Sequence, residues 1–231
     1  MNQLELKLHP KLSYSPESFV VHSGVRDLLS FAISEARADR FSILFIPAPS
    51  RCGKTHFSLR LALDLSSEGL SPVIIAGERL TAEVAQLDYR ATVDHTSVFI
   101  VDNVQDYFLA SEREDYGAFV HFVEYLRLRK ATAIFTSSLE LDDLPVDGHV
   151  RSRLIPGGSP RLGVPSESEM MTILKVMAKQ RGIVLREKKL HYLARRLPRD
   201  IPSLERYLDR LLYISDGRGK ALRYSLLGDA L

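Results

Sequence analysis

Residues 41–55, Phe41-Ser42-Ile43-Leu44-Phe45-Ile46-Pro47-Ala48-Pro49-Ser50-Arg51-Cys52-Gly53-Lys54-Thr55, run from an apolar stretch through a short loop into Gly-Lys-Thr. Residues 41–46 predict a strand, and the residues from Lys54 to Leu65 predict a helix that Gly69 stops. A strand, a loop and a helix N-terminus in that order can cradle a phosphate. Backbone N–H groups of the loop and the open helix end face the anion, Lys54 reaches the β and γ oxygens, and the Thr55 hydroxyl is offered to Mg2+. One position departs from GxxxxGK[ST]: its first glycine is Ala48, with Pro49 beside it. Ala-Pro leaves the loop less freedom for positive φ and one fewer amide donor. A Gly-Lys-Thr after a strand also arises by chance, so the reading needs a second motif.

Val98-Phe99-Ile100-Val101-Asp102 supplies one, a buried strand whose terminal carboxylate stands beside the loop to hold Mg2+ through water. Its plain alternative is a strand-end turn acid. Asn103 follows where an ATPase of this type carries Asp or Glu to polarise the attacking water. An amide cannot accept that proton, so unaided hydrolysis is expected to be slow or absent; Asn103 equally suits a turn. Thr136-Ser137-Ser138 closes a later strand, and Ser138 reads either as a contact to the γ-phosphate or its water, or as a helix cap. Arg151-Ser152-Arg153 comes next in a Gly/Pro-rich stretch. An arginine there either stabilises phosphoryl-transfer charge in trans or is a solvated surface residue.

Four short β-rich runs, residues 41–46, 72–76, 98–101 and 131–135, alternate with helical stretches, the βαβ pattern of a parallel sheet covered on both faces. The fold class is α/β. The segment after Gly24 reads as a helix, and Phe119, Phe122, Val123 and Leu126 form one apolar stripe at helical spacing. Past about Gly163 the strand signals stop. Met170/Ile173/Leu174/Met177, Leu190/Leu193/Leu197 and Leu204/Tyr207/Leu208/Leu211/Leu212 mark three helices of a small bundle, its methionines serving as core. At the other end, Leu4, Leu6 and Leu8 alternate with polar residues before Pro10, reading as an edge strand or as an extended peptide outside the core. The expected organisation is residues 1–12, a nucleotide-binding domain over 13–164, and helices over 165–231.

With 231 residues, 45% of them hydrophobic, the chain holds one α/β domain and a helical appendage but not two full domains. Its 31 Lys+Arg against 29 Asp+Glu leave a net charge of +2, without the cation excess that a DNA-reading surface needs. Cys52 is the single cysteine, and the seven histidines are scattered, which excludes an internal disulfide and argues against structural zinc. The opening MNQLELKLHP has no cationic and apolar leader pattern, and no apolar run approaches the roughly 18 residues of a membrane span. A cytoplasmic protein with no membrane partner is expected.

Together these pieces resemble the Hda branch of the DnaA-related AAA+ family. Gln3-Leu4-x-Leu6-x-Leu8 resembles the branch's clamp-binding peptide, and Ser18-Phe19-Val20-Val21 the base-contacting entry to the DnaA AAA+ module. Gly53-Lys54-Thr55-His56 matches the Walker A ending, and Val101-Asp102-Asn103-Val104-Gln105 is similar to a Walker B in which Asn also follows the Asp. The resemblance spans essentially the whole chain. It implies an AAA+ P-loop parallel sheet flanked by helices, with a small C-terminal helical lid. It implies ADP or ATP bound through Phe19, Val20, Val21, Arg51, Cys52, Gly53, Lys54, Thr55, His56 and Asp102, with Mg2+ held at Thr55 and Asp102 through the nucleotide. Arg153 falls on the arginine-finger position and Ser138 on sensor I. Pro202 stands at sensor II, where the family has a phosphate-touching arginine; Arg199 and Arg206 lie about one turn away, and Pro202 itself reads as a first-turn helix residue. After Leu212 only 19 residues remain, too few for the helix-turn-helix with which DnaA reads its sites, so no direct sequence-specific DNA binding is expected.

The function implied is a negative regulator of replication initiation. Tethered to the sliding clamp through Gln3, Leu4, Leu6 and Leu8, it would present Arg153 to ATP on the DnaA AAA+ domain and drive hydrolysis there. Two other readings stay open: a self-hydrolysing helicase-loader or transposition-type ATPase, which needs a base near Asn103, and a degenerate scaffold without nucleotide, which Ala48 and Pro202 favour. ADP against ATP, and homo-oligomer against monomer, are left undecided.

Overall fold

The computed structural model describes residues 19–86, 93–110, 116–155, 160–163, 165–198, 200–216 and 224–230. The sequence-read Gln3, Leu4, Leu6 and Leu8, together with Ser18 and Arg199, lie outside the described residues. The chain divides into two compact units, Val21–Pro165 and a second comprising Ser166–Leu231 with Phe19 and Val20.

In the first unit, α1 (Ser23–Arg37) leads into β1 (Ser42–Pro47), α2 (Lys54–Ser67), β2 (Ser71–Ala76), α3 (Leu80–Val84) and β3 (Ser97–Asp102). Then come α4 (Gln105–Ala110), α5 (Gly117–Leu128), β4 (Thr132–Ser137) and α6 (Gly148–Leu154). The four strands form one parallel sheet in the order β1-β4-β3-β2. Every residue of β1, β3 and β4 is buried, which is why these strands read as continuous apolar runs instead of alternating ones. Alternate side chains serve opposite faces. Ile43, Phe45, Phe99, Val101 and Phe135 pack with α3, α5 and α6, where Phe99 meets Phe122 edge-on at 5.6 Å and Phe119 meets Phe135 at 5.7 Å. The other face carries α1 and α2.

Crossover connections in a parallel sheet bring every strand's C-terminal end to one edge, where ligands of open α/β sheets bind. That edge here gathers the residues after Pro47, Asp102 and Ser137.

The second unit contains α7 (Glu167–Gln180), α8 (Glu187–Ala194), α9 (Ile201–Asp216) and α10 (Tyr224–Asp229). Ser166 and Glu169 form a capping box that starts α7. The three apolar stripes read from sequence are its core, with Met170, Met177, Leu193, Leu208 and Leu211 all buried. α10 corrects the three-helix expectation. Among the described residues it supplies Leu227 to the core, with Ala230 just past its end, too little periodicity to announce a helix. Among the described residues no helix is long and apolar enough to cross a membrane.

Candidate nucleotide-binding site

The loop after β1 is anchored at its start, where the Ala48 N–H donates to the Ser137 carbonyl at 2.9 Å. Ala48 is buried and its φ is not positive, so this position makes no demand that only glycine meets. The left-handed residues of the loop are Arg51, at φ 61°, and Gly53, at φ 99°. Gly53 has open space where a Cβ would stand, so its requirement is conformational. α2 then begins at Lys54 with no acidic residue in its first turn, leaving its N–H groups and dipole uncompensated. Lys54 is buried, and its Nζ donates to the carbonyls of Ala48 at 3.1 Å and Pro49 at 3.0 Å, curling the loop around the ammonium. Cys52 is half-buried; burial pushes its thiol up, against the pull of the Lys54 charge. His56 sits half-buried in the first turn of α2.

Asp102, at the end of β3, is buried and accepts three hydroxyl donors. Thr55 Oγ1 reaches Oδ2 at 2.7 Å, while Ser58 Oγ and Thr136 Oγ1 reach Oδ1 at 3.1 and 2.7 Å. A buried carboxylate survives only with such compensation. Sequence reading found Thr55 and Asp102 but missed Ser58 and Thr136. Ser58 lies at i+3 from Thr55 on one helix face. Thr136 follows Phe135, the β4 partner of Val101, so sheet register brings it beside Asp102.

Asn103 adopts φ 56°, and its N–H donates to Thr136 Oγ1 at 3.0 Å. Its carbonyl passes so near Gly77 that a Cβ there would stand 2.1 Å away, fixing the turn from two sides. Among the described residues the Asn103 side-chain amide makes no hydrogen bond. Gln105, buried and also missed from sequence, accepts from the Ser138 N–H at 3.0 Å. Ser138 therefore follows β4 in a bend tied to the Asn103 turn; the next helical turn, Leu141–Asp143, has Glu140 at its cap position.

The Arg151 and Arg153 expectation needs a correction of context. Both lie on α6, because Asp147 caps it by accepting from the Val150 N–H at 2.7 Å, which overrides the Gly/Pro-rich flank. Arg153 pairs with Glu124 of α5 at 3.1 Å and lines a cavity of about 270 Å3 with Arg40, Phe41, Ser42, Ile43 and Arg127. Those partners mark the N-terminal end of β1, opposite the loop at its C-terminal end.

Of the sequence-read base contacts, Phe19 and Val21 are half-buried, and Val20 packs on the helical unit's own core. Pro202 stands in the first turn of α9, where Asp200 Oδ1 accepts from the Ser203 N–H at 2.8 Å and Arg206 bonds Ser203 Oγ at 3.0 Å. Among the described residues no cluster of His, Cys, Asp and Glu forms a self-contained metal site.

Residues 167–215 match the family model described as Hda, lid domain. Domain III of the replication initiation protein DnaA from Thermotoga maritima has a similar fold, with a TM-score of 0.69 at 19% identity over 96% of each chain. The chain thus shares the fold of DnaA domain III, and its residues 167–215 resemble the lid domain of Hda. AMPPCP-bound DnaA from Aquifex aeolicus is similar at a TM-score of 0.61 and 16% identity, over 95% of this chain and 80% of that one. The RuvB Holliday junction branch migration motor of Thermotoga maritima is similar at 0.66 and 15%, over 95% and 71%. The α/β sheet followed by a C-terminal helical unit thus has the fold of these proteins, as the resemblance implied.

Proposed function

We propose that this protein is a nucleotide-bound regulator of replication initiation that supplies Arg153 in trans to ATP held on the DnaA AAA+ domain. The observation that carries this reading is the separation of Arg153 from the chain's own loop. Arg153 lines a cavity with Ser42 and Ile43 at the start of β1, and the loop begins after Pro47 at its end. Six residues of strand at about 3.3 Å each put some 16 Å or more between them. An arginine so far from its own phosphates acts on a neighbour's or not on phosphates at all.

The donor set around the loop fits a nucleoside di- or triphosphate. Gly53, the start of α2 and the Lys54 ammonium supply N–H donors and a cation, with no acidic residue in the first turn of the helix, and Arg51, Cys52 and His56 flank them. Thr55 and Asp102, already hydrogen-bonded, would hold Mg2+ through the nucleotide, and Phe19, Val20 and Val21 would meet the base. A bound Mg-nucleotide supplies charge neutralisation at the phosphates. Asn103 and Ser138 would orient water, but an amide takes no proton, so this chain's own turnover stays low. That disfavours the self-hydrolysing loader. Residues 3–8 tether the protein to the sliding clamp, and the whole acts in the cytoplasm without reading DNA sequence.

The test is phosphate release from the DnaA AAA+ domain loaded with labelled ATP, with clamp assembled on DNA and this protein titrated in. Release that climbs with its concentration is expected. A flat response refutes the reading.

A further inference from the structure

The Arg153 guanidinium is held from two directions. Nε and Nη2 approach Glu124 Oε1 at 3.2 and 3.1 Å, and Nη1 donates to the His149 carbonyl at 3.0 Å, one turn back on the same helix. A guanidinium presents five N–H donors in a rigid plane. Its Nε/Nη2 edge is taken by one carboxylate oxygen, and the backward N–H of Nη1 by the carbonyl. What remains is the outer edge, one N–H on each Nη, parallel and turned away from both partners.

We propose that Glu124 is the positioning residue for Arg153, holding the guanidinium so that its outer edge meets two oxygens of a phosphoryl group on the partner's nucleotide. This inference rests on the reading that Arg153 acts in trans. Glu124 is 40% exposed and Arg153 18%, so the pair contributes little stability, as half-solvated ion pairs do. Its value is orientation. A freely rotating arginine loses its rotamer freedom on meeting a partner, whereas one already docked has lost it beforehand. Two neighbours sharpen the contrast. Arg127 approaches Glu124 only to 3.8 Å and lies over the Phe41 ring at 5.3 Å, so Arg153 is the close partner. Arg151 donates to the Asp142 carboxylate at 3.4 Å and to the Asp142 backbone carbonyl at 3.3 Å; that carboxylate is 91% exposed, and the Arg151 Nε is buried without a hydrogen-bond partner. The triplet thus holds one aimed arginine and one loosely held.

Glu124→Ala in the full chain tests this with two readouts. In 15N–1H spectra the Arg153 Nε–H resonance, assigned by its loss in Arg153→Ala, should be distinct and protected in the parent and should broaden or merge with the solvated arginines in Glu124→Ala. In stimulated hydrolysis on DnaA, the maximal rate should fall by roughly tenfold to a hundredfold, with the half-saturating concentration and melting temperature unchanged. Glu124→Gln, which keeps an acceptor oxygen, should recover most of the rate, and Arg127→Gln should leave it unchanged. An unaltered Arg153 resonance, or a maximal rate in Glu124→Ala equal to or above the parent's, overturns the assignment. If Arg153→Ala itself leaves the stimulated rate intact, the trans reading fails, and the spectra still decide whether Glu124 orders the guanidinium.

Discussion

The Thr55 hydroxyl donates to the Asp102 carboxylate at 2.7 Å, joining the start of α2 to the end of β3 across 47 residues of sequence. Ser58 and Thr136 complete the same knot, and Thr136 also accepts from the Asn103 N–H, so one hydroxyl holds the acid and the turn after it. Thr136→Val keeps the shape and removes both bonds. With a buried carboxylate and an amide left short of partners, it should cost about 1–3 kcal/mol, seen as a lower denaturation midpoint at unchanged m-value. A midpoint equal to the parent's would mean that these two hydrogen bonds do not stabilise the fold.

Much of this site was legible because its chemistry is written in local spacing. Residues 41–55 and 98–102 contain a strand, a loop, a lysine, a hydroxyl and an acid in fixed order, and the structure puts the hydroxyl on the acid. Ser58, Thr136 and Gln105 were not legible, since each acts through sheet register or through a turn that sequence pattern does not encode. The same cause hid α6: Asp147 is an ordinary turn residue until its side chain is seen capping. Ala48 looked like damage to the loop because φ cannot be read from sequence. In the fold that position packs inward, and positive φ falls on Arg51 and Gly53.

Nucleotide should raise the melting temperature of the parent, and Lys54→Ala should abolish that rise. By mass action, ligand at a hundred times its dissociation constant stabilises by about 2.7 kcal/mol, large enough for a thermal-shift assay. Turnover by the isolated chain should stay well below the roughly 1–100 s−1 of kinases, and Asn103→Asp should raise it. Rapid hydrolysis by the parent would favour the loader reading.

In the helical unit, Tyr207 is buried and its hydroxyl donates to the Leu227 carbonyl at 3.2 Å. Burial, with a smaller effect of Tyr192, pushes its phenol well above the ordinary value. The fold thus binds the phenolic proton more tightly than the unfolded chain. Stability from this group is complete below the ordinary tyrosine value near 10 and is lost as pH rises past it. Tyr207→Phe should cost about 1 kcal/mol near neutral pH, the net worth of one hydrogen bond, and should flatten the alkaline decline. An equally steep decline in the variant would place its origin elsewhere.

As an extended peptide, residues 3–8 would present Leu4, Leu6 and Leu8 on one side, with Gln3 offering both donor and acceptor to a polar pocket. If they formed a packed strand, deletion would cost roughly 1.5–3 kcal/mol per buried leucine. A chain beginning at Lys11 should instead melt at nearly the parent temperature and lose clamp binding in a surface-binding assay. Unfolding on truncation, or clamp binding that survives Gln3→Ala with Leu4→Ala, would remove the tether from the account.

The most direct test of trans action compares Arg153→Ala with Arg151→Ala in clamp-dependent hydrolysis of ATP on the DnaA AAA+ domain. The two arginines share one helix, and both variants should fold and bind ADP as the parent does. A trans-acting arginine contributes about 10³ to 10⁵ in rate. Arg153→Ala should therefore reduce stimulation to near the DnaA background while Arg151→Ala keeps most of it. A loss of only about twofold at Arg153, set against the about 10³ to 10⁵ of a true finger, or equal losses at both positions, would contradict the account.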